Sequence, residues 1–367
     1  MSHEYKIHNR FIRFLGLITI VVFGILSTLG TGGGGGDGTT SVQPLSYVGN
    51  TEPANITKDN ATTLVANVLF GGIIVGDIPV AVTTSSPDLQ SSETTLLIDR
   101  LSPLFKLRIA DIIANNDNTQ LPVGADVPVS GTMPCDNGIN ISFTGTLDNV
   151  TLLGTVTFTY SNCVLSGVTY NGTVIVRFDA VDIALQLPTD MTMNFSPLMT
   201  IVSSNPAFNV SATGSVRLQI NISTDQEIYT MNFVSKDNSS GKMFKFENLK
   251  ITNAYDNVLF PNSYSQTFGG AGGAAAGRVY DSIHGYVDVT TPGALMYSSI
   301  TLSFPDSGGP MLFDGVTVPN AGPMRIRLNV LNATQISIDL DLDGNGIYEL
   351  GPYDLLWTDL LAPQPLP

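Results

Sequence analysis

The residues best placed to do chemistry are the run Asp339-Leu340-Asp341-Leu342-Asp343-Gly344-Asn345-Gly346-Ile347-Tyr348-Glu349. Side chains alternate along a strand, so Asp339 and Asp341 leave the same face, with Asp343 following at the turn. Three like charges this close repel one another, and a bound cation would relieve them. Asp339, Asp341, Asp343, Asn345 and Glu349 are the candidate ligands. A mechanical account competes with this one, because Asp-Gly and Asn-Gly are favoured hairpin dipeptides. On that account Gln335 to Leu342 and Ile347 to Leu350 are simply paired strands.

From Asp341 the stretch resembles the first half of an EF-hand-type calcium loop. Asp341, Asp343 and Asn345 fall on its first, third and fifth positions, and Gly346 on its sharp-turn glycine. Pro352 stands at the twelfth position, where the bidentate Glu belongs, so the resemblance implies only a looser Ca2+ turn completed by Glu349 or Asp354. A second segment, Asp306-Ser307-Gly308-Gly309-Pro310, resembles the nucleophile region of chymotrypsin-like serine proteases, with Pro305 in place of the leading Gly. A serine needs a general base. Of the 3 histidines only His284 lies beyond the first thirty residues, 23 positions before Ser307 and out of that family's order. The expectation for Ser307 is therefore a polar turn. The scarcity of histidine also removes paired-His zinc sites, Cys-His nucleophiles and His-Asp relays.

These residues must be positioned mainly by β-structure. From about Val127 the apolar period is two: Ile139, Ile141 and Phe143 alternate with polar residues, as do Val156, Phe158 and Tyr160. The pattern recurs at Val174-Val176-Phe178, Val216-Leu218-Ile220-Ile222, Tyr229-Met231-Phe233, Ile300-Leu302-Phe304, Met324-Ile326-Leu328-Val330 and Ile336-Ile338-Leu340-Leu342. Strands with one apolar and one polar face favour antiparallel meanders. The predicted class is mainly β, with antiparallel meander sheets arranged as a sandwich or curved open barrel. One or two N-terminal helices precede them. The first follows the start signal Thr57-Lys58-Asp59-Asn60 and carries Ala61, Leu64, Val65, Val68 and Leu69 at helical spacing. The second is expected from about Thr94 to Ala114.

The N-terminus reads as an export signal. Lys6, Arg10 and Arg13 precede an apolar stretch from Phe14 to Leu26, which is shorter than the roughly 20 residues of a spanning helix. Thr28-Leu29-Gly30-Thr31 resembles a lipoprotein lipobox, but Thr31 has no thiol to acylate, so no lipid anchor is expected. Losing residues 1–30 takes the net charge from −15 to −17, which repels phosphate backbones and anionic lipids and argues against a nucleic-acid partner. In an oxidising compartment the two cysteines, Cys135 and Cys163, are most simply a disulfide. N-x-S/T triplets such as those at Asn55, Asn149, Asn171, Asn221 and Asn332 follow from composition.

The expected organisation is a signal peptide (1–30), a Gly/Ser/Thr-rich tether (31–53), a helical segment (54–120) and a β domain with the disulfide (121–268). A Gly/Ala linker (269–277) and a C-terminal β domain with the acidic turn (278–367) complete it. The linker reads equally as an insertion at the tip of a hairpin.

Several features together resemble a loosely defined group of uncharacterised exported proteins and lipoproteins of Gram-negative bacteria. They are the Gly tract after the signal, the Cys135 and Cys163 pair among Gly/Thr-rich strands, Gly277-Arg278-Val279-Tyr280 leading to His284-Gly285-Tyr286-Val287-Asp288-Val289, and the final Asp-Gly-Asn-Gly-Ile-Tyr-Glu with Trp357 downstream. The resemblance implies export and β-structure. The leading functional reading is a non-enzymatic envelope or secreted module, acting by binding or structure and steadied by Ca2+. Its partner would be an envelope, glycan or protein ligand, and its location the periplasm, outer surface or medium, with no membrane span after cleavage. One alternative is a periplasmic carrier of an apolar ligand. Another is a carbohydrate-active enzyme using two carboxylates roughly 5 to 10 Å apart.

Overall fold

The computed structural model describes residues 43–70 and 126–367, except 166, 185, 186, 205, 206, 259, 260, 270–276, 301, 303 and 362. The expected signal segment, most of the tether and the second helix lie outside the described residues.

Helix α1 (Ala61–Phe70) begins where the start signal places it. The Asn60 side chain accepts from Thr57 N at 2.9 Å, and the Asn60 carbonyl accepts the first helical bond, from Leu64 N. Ala61, Leu64, Val65, Ala66, Val68 and Leu69 are buried, and so are Thr62 and Asn67. The helix is thus enclosed on nearly every side rather than amphipathic. The C-terminal tail lies along it, with Thr62 Oγ1 donating to Gln364 O at 2.6 Å and Leu366 N to Lys58 O at 2.9 Å.

Among the described residues the strands form one open antiparallel sheet of 17 strands, not closed into a barrel. Eight consecutive strands form an up-and-down meander: β1 (Asp126–Pro134), β2 (Asn140–Asp148), β3 (Gly154–Leu165), β4 (Val168–Asp182), β5 (Leu187–Ser204), β6 (Ala207–Asn221), β7 (Gln226–Asp237) and β8 (Met243–Tyr255). The period of two does its work here. Phe143, Phe158, Val174, Phe195, Gly214 and Phe233 stand opposite one another on successive strands, and the bulky members of the row are buried. Contact between such cross-strand neighbours is what stabilises a sheet of this kind.

At β8 the sheet forks. The C-terminal half of β8 pairs with β9 (Tyr264–Phe268), and its N-terminal half pairs with β10 (Arg278–Asp281). A register shift in the β7–β8 ladder and the left-handed Asn248 mark the branch point. Gly277 packs there so closely that a Cβ would lie 2.0 Å from Leu249 Cα. Both ends of segment 269–277 are therefore anchored at β8, and the hydrogen-bonded ladder is continuous on either side of it.

The first branch continues through β12 (Leu295–Tyr297) to β13 (Ser307–Gly308). The second runs through β11 (Gly285–Thr290), β14 (Met311–Thr317), β15 (Pro323–Asn332), β16 (Gln335–Asp341) and β17 (Leu350–Leu356). Among the described strands this branch ends at β17, the first branch ends at β13, and the meander begins at β1. Residues 52–54 fill the gap where β11 and β14 diverge: Tyr286 N donates to Glu52 O and Val316 N to Ala54 O.

One expected strand is absent. Among the described positions of the Ile300-Leu302-Phe304 run no strand forms. Pro305 ends it, and a loop closes instead as Asp306 accepts from Ser298 N and Oγ. Phe304 serves the core by stacking on Trp357, with ring centroids 5.1 Å apart.

Candidate metal centre

The acidic turn is held by β16 from one side and β17 from the other. Ile336, Ile338 and Leu340 are fully buried, and this fixes the phase of β16 so that Asp339 and Asp341 emerge together on the opposite face. The two acids then part company. Asp339 is taken by Arg327, with Nη2 to Oδ2 at 2.9 Å, and by Asn329 Nδ2 at 2.8 Å. It is engaged by strand partners and does not join the cation cluster.

Asp341 instead organises the loop. Its Oδ1 accepts from Gly344 N at 2.8 Å and its Oδ2 from Gly346 N at 2.9 Å. Gly344 has φ +71° and packs on Gly322 so tightly that a Cβ would lie 2.2 Å from Gly322 O, which leaves glycine as the residue that fits. Gly322 N donates to Gly344 O at 2.6 Å and ties the acidic loop to the β14–β15 turn.

The outcome is a cluster of Asp341, Asp343 and Glu349, each offering a carboxylate oxygen within 4.8 Å of the others; Asp341 is buried and the other two are exposed. Glu349 reaches back to accept from Leu342 N at 3.0 Å. Asn345 is committed locally: its Nδ2 donates to Asp343 Oδ2 at 2.9 Å and its Oδ1 accepts from Ile347 N at 2.6 Å. Asp354 is exposed on β17, opposite Ser337, and is not a member of the cluster.

Nearby basic residues do not neutralise the triad. Arg325 is opposite Asp341 in register but forks onto Asp314, with Nη2 to Oδ2 at 2.9 Å. Arg327 is spent on Asp339 and lies 3.8 Å from the centroid of the Tyr348 ring. Among the described residues no ion pair reaches Asp341, Asp343 or Glu349. These all-oxygen donors suit a hard cation, and the triad can hold a metal ion.

The β16–β17 connection combines the two readings of the sequence. The strands do pair, as a hairpin requires, yet residues 342–349 form a long loop rather than a two-residue turn, and Ile347 is exposed rather than in a strand.

Arg325 also belongs to a charged row that crosses six strands in register: Glu247, Arg278, Asp288, Asp314, Arg325 and Asp341. Asp288 and Asp314 face each other as like charges, and each is held by an arginine, Arg278 and Arg325 respectively.

The other sequence candidates resolve as follows. Cys135 and Cys163 form a disulfide with Cα atoms 5.5 Å apart, linking the end of β1 to β3. Ser307 is exposed in the two-residue strand β13, and no hydrogen bond joins it to His284 among the described residues. His284 sits in the β10–β11 turn, where its backbone N donates to the buried Asp281. The protease-like segment thus runs through the short strand β13, not the expected turn, and among the described residues no base is bonded to Ser307.

One constellation escaped the sequence reading. Glu227 lies in the inward phase of β7, two residues before Tyr229, where an apolar residue is expected. The phenols of Tyr229 and Tyr255 donate to its Oε2 at 2.9 and 2.8 Å. Burial pushes the Glu227 carboxyl above the usual carboxylate range, against the two phenol hydrogen bonds. The available signal was a Glu in register with Met231 and Phe233.

Comparison with known protein families, curated proteins and solved structures finds no match to this chain.

Proposed function

We propose that the chain is an exported, non-enzymatic β-sheet module that acts by binding or as a structural element, and that calcium is the cation taken by its acidic turn. The observation carrying this reading is the triad Asp341, Asp343 and Glu349, gathered within 4.8 Å without a basic partner among the described residues. Calcium takes six to eight oxygens at flexible distances, and a loop offering three carboxylates beside its own carbonyls suits it better than softer metals. The buried disulfide supports an oxidising compartment. Among the described residues no base is bonded to Ser307 and Asp339 is taken by Arg327 and Asn329, which supports a role other than hydrolysis.

Titration calorimetry with calcium tests the cation. The expected result is a saturable one-site isotherm with a Kd of about 10⁻⁴ to 10⁻³ M, the range of extracellular modules. Absence of heat at millimolar calcium refutes it. Fusion of the chain to a reporter that is active only outside the cytoplasm tests export, and activity confined to the cytosol refutes that part.

A further inference from the structure

Composition accounts for the abundance of N-x-S/T triplets, and the fold sorts them by what each asparagine side chain does. Asn332 ends β15 and pairs with Gln335 across the turn into β16. Asn221 ends β6 and pairs with Gln226 across the turn that holds Ile222–Thr224. Both asparagines are exposed, and so are Thr334 and Ser223, the hydroxyl residues of their triplets.

In each of these turns two donors converge on the asparagine's own Oδ1. Thr334 N and Oγ1 donate to Asn332 Oδ1 at 2.9 and 2.8 Å. Ser223 N and Oγ donate to Asn221 Oδ1 at 3.1 and 2.8 Å. Other triplets are engaged differently. Asn60 is buried, with Nδ2 donating to Asn55 O and Oδ1 accepting from Thr57 N. Asn171 lies within β4, and its Oδ1 accepts from Asn162 N. Asn238 Nδ2 donates to Asn209 and Ser211, while the Ser240 hydroxyl of its triplet goes to Asp237.

An amide nitrogen is a poor nucleophile because its lone pair is shared with the carbonyl. When Nδ2 gives up a proton and attacks, negative charge moves onto Oδ1. Two donors already aimed at that oxygen stabilise the charge, as an oxyanion hole does. The N-x-S/T triplet is the acceptor sequence for N-linked glycans, and it serves on a surface that a transferase can reach. Asn332 Nδ2 also donates to Gln335 Oε1 at 2.9 Å, and Gln335 is itself exposed, so its side chain can turn away and free the nitrogen.

We propose that Asn332 and Asn221 are acceptor sites for N-linked glycans, transferred from an oligosaccharide carried on a polyprenyl diphosphate. Nδ2 bonds to the anomeric carbon of the first sugar as that carbon's bond to the diphosphate oxygen breaks. The polyprenyl diphosphate leaves with the electron pair, a base of the transferase takes the proton from Nδ2, and nothing is oxidised or reduced. In the cell the modification rests on the export reading, because such triplets are used in secreted chains.

The test incubates the purified, folded full chain with a single-subunit oligosaccharyltransferase and a polyprenyl-diphosphate oligosaccharide, and reads the product by intact mass and peptide mapping. The expected result is a glycan on Asn332 and on Asn221, with Asn60, Asn171 and Asn238 bare. Peptides from a digest of the same chain are expected to accept at Asn60 and Asn171 as well, because the fold no longer excludes them. Thr334→Val and Ser223→Ala should each remove the glycan at their own site and leave the other in place. A folded chain bare at both sites overturns the proposal, and so does transfer to Asn60 or Asn238 as fast as to Asn332, which marks acceptance by sequence alone. Peptides in which Asn60 and Asn171 stay bare overturn it too, since the fold is then not what sorts the triplets. Purified components make this result independent of export: a chain that accepts the glycan here, yet whose reporter fusion is active only in the cytosol, retains the sites and loses the export reading.

Discussion

Glu349→Gln reverses its effect on stability between calcium-free and calcium-containing buffer, and the structure sets the size of both effects. In water two unit charges at the triad's limiting separation of 4.8 Å repel by about 0.9 kcal/mol. Glu349 takes part in two of the three pairs, so its charge costs about 1.7 kcal/mol unscreened and about 1 kcal/mol at physiological salt. Glutamine keeps an oxygen to accept from Leu342 N, so the loop contact is retained. With a chelator present the variant should therefore melt a few degrees higher than the parent, at about 2 to 4 °C per kcal/mol. At about 10 mM calcium a site with a Kd of about 10⁻³ to 10⁻⁴ M gains about 1.4 to 2.7 kcal/mol by mass action. The parent should climb by that amount and the variant by much less, which closes or inverts the gap. Calorimetric melts in chelator, in calcium and in sodium chloride of matched ionic strength provide the readout. Equal calcium responses in the two proteins, or a variant less stable than the parent in chelator, would refute the reasoning.

Three further expectations concern stability. Cys135→Ala with Cys163→Ala removes a cross-link of sequence separation 28, worth about 3 to 4 kcal/mol in the chain-entropy model, and should lower the melting temperature by about 5 to 10 °C; an unchanged melt counts against it. Arg327→Met strands Asp339, whose side chain is 7% exposed, with Asn329 alone, and should cost about 2 to 4 kcal/mol in urea unfolding. Arg177→Met, at an ion pair whose side chains are 60% and 29% exposed, should cost under about 1 kcal/mol, and similar losses at the two sites would sink the argument. Glu227 sets a pH dependence. Burial raises its folded pKa above the unfolded value, so its contribution is fully present below the unfolded pKa and is lost as pH rises through the folded one. Glu227→Gln removes that loss, so the variant's stability relative to the parent should grow from acidic to neutral pH. A difference flat with pH would contradict it.

Most of the fold was legible because a period of two is a strong signal and each strand repeats it. Phe143, Phe158, Val176 and Ile338 all occupy the inward phase that their spacing implied. The run Ile300-Leu302-Phe304 shows the limit of that signal. It has the right alternation, but Pro305 and the Asp306 to Ser298 contacts draw the chain into a loop, and alternation alone does not register such a tertiary pull. The fork at β8 was invisible for a similar reason. Whether β9 and β10 share a partner depends on which half of β8 each reaches, and neither half differs in period. In the acidic turn, Asp341, Asp343 and Glu349 were found from residue type and spacing. That Asp339 would be captured by Arg327 required knowing the β15–β16 register. Glu227 stands alone rather than in an acidic run, and its meaning lies in the inward phase it interrupts.

The prolines in the first and last strands of the long sheet bear on whether a further strand could add to it. Among the described residues β1, which contains Pro128 and Pro134, pairs with β2, and β17, which contains Pro352, pairs with β16. A proline nitrogen has no hydrogen to give, so a visiting strand seeking to extend either rim would meet breaks in the row of donors it needs. A sheet this wide, left open, would otherwise be an invitation to end-to-end growth into fibres. Replacing those prolines with β-formers would restore backbone donors at both rims and ease the addition of a further strand there.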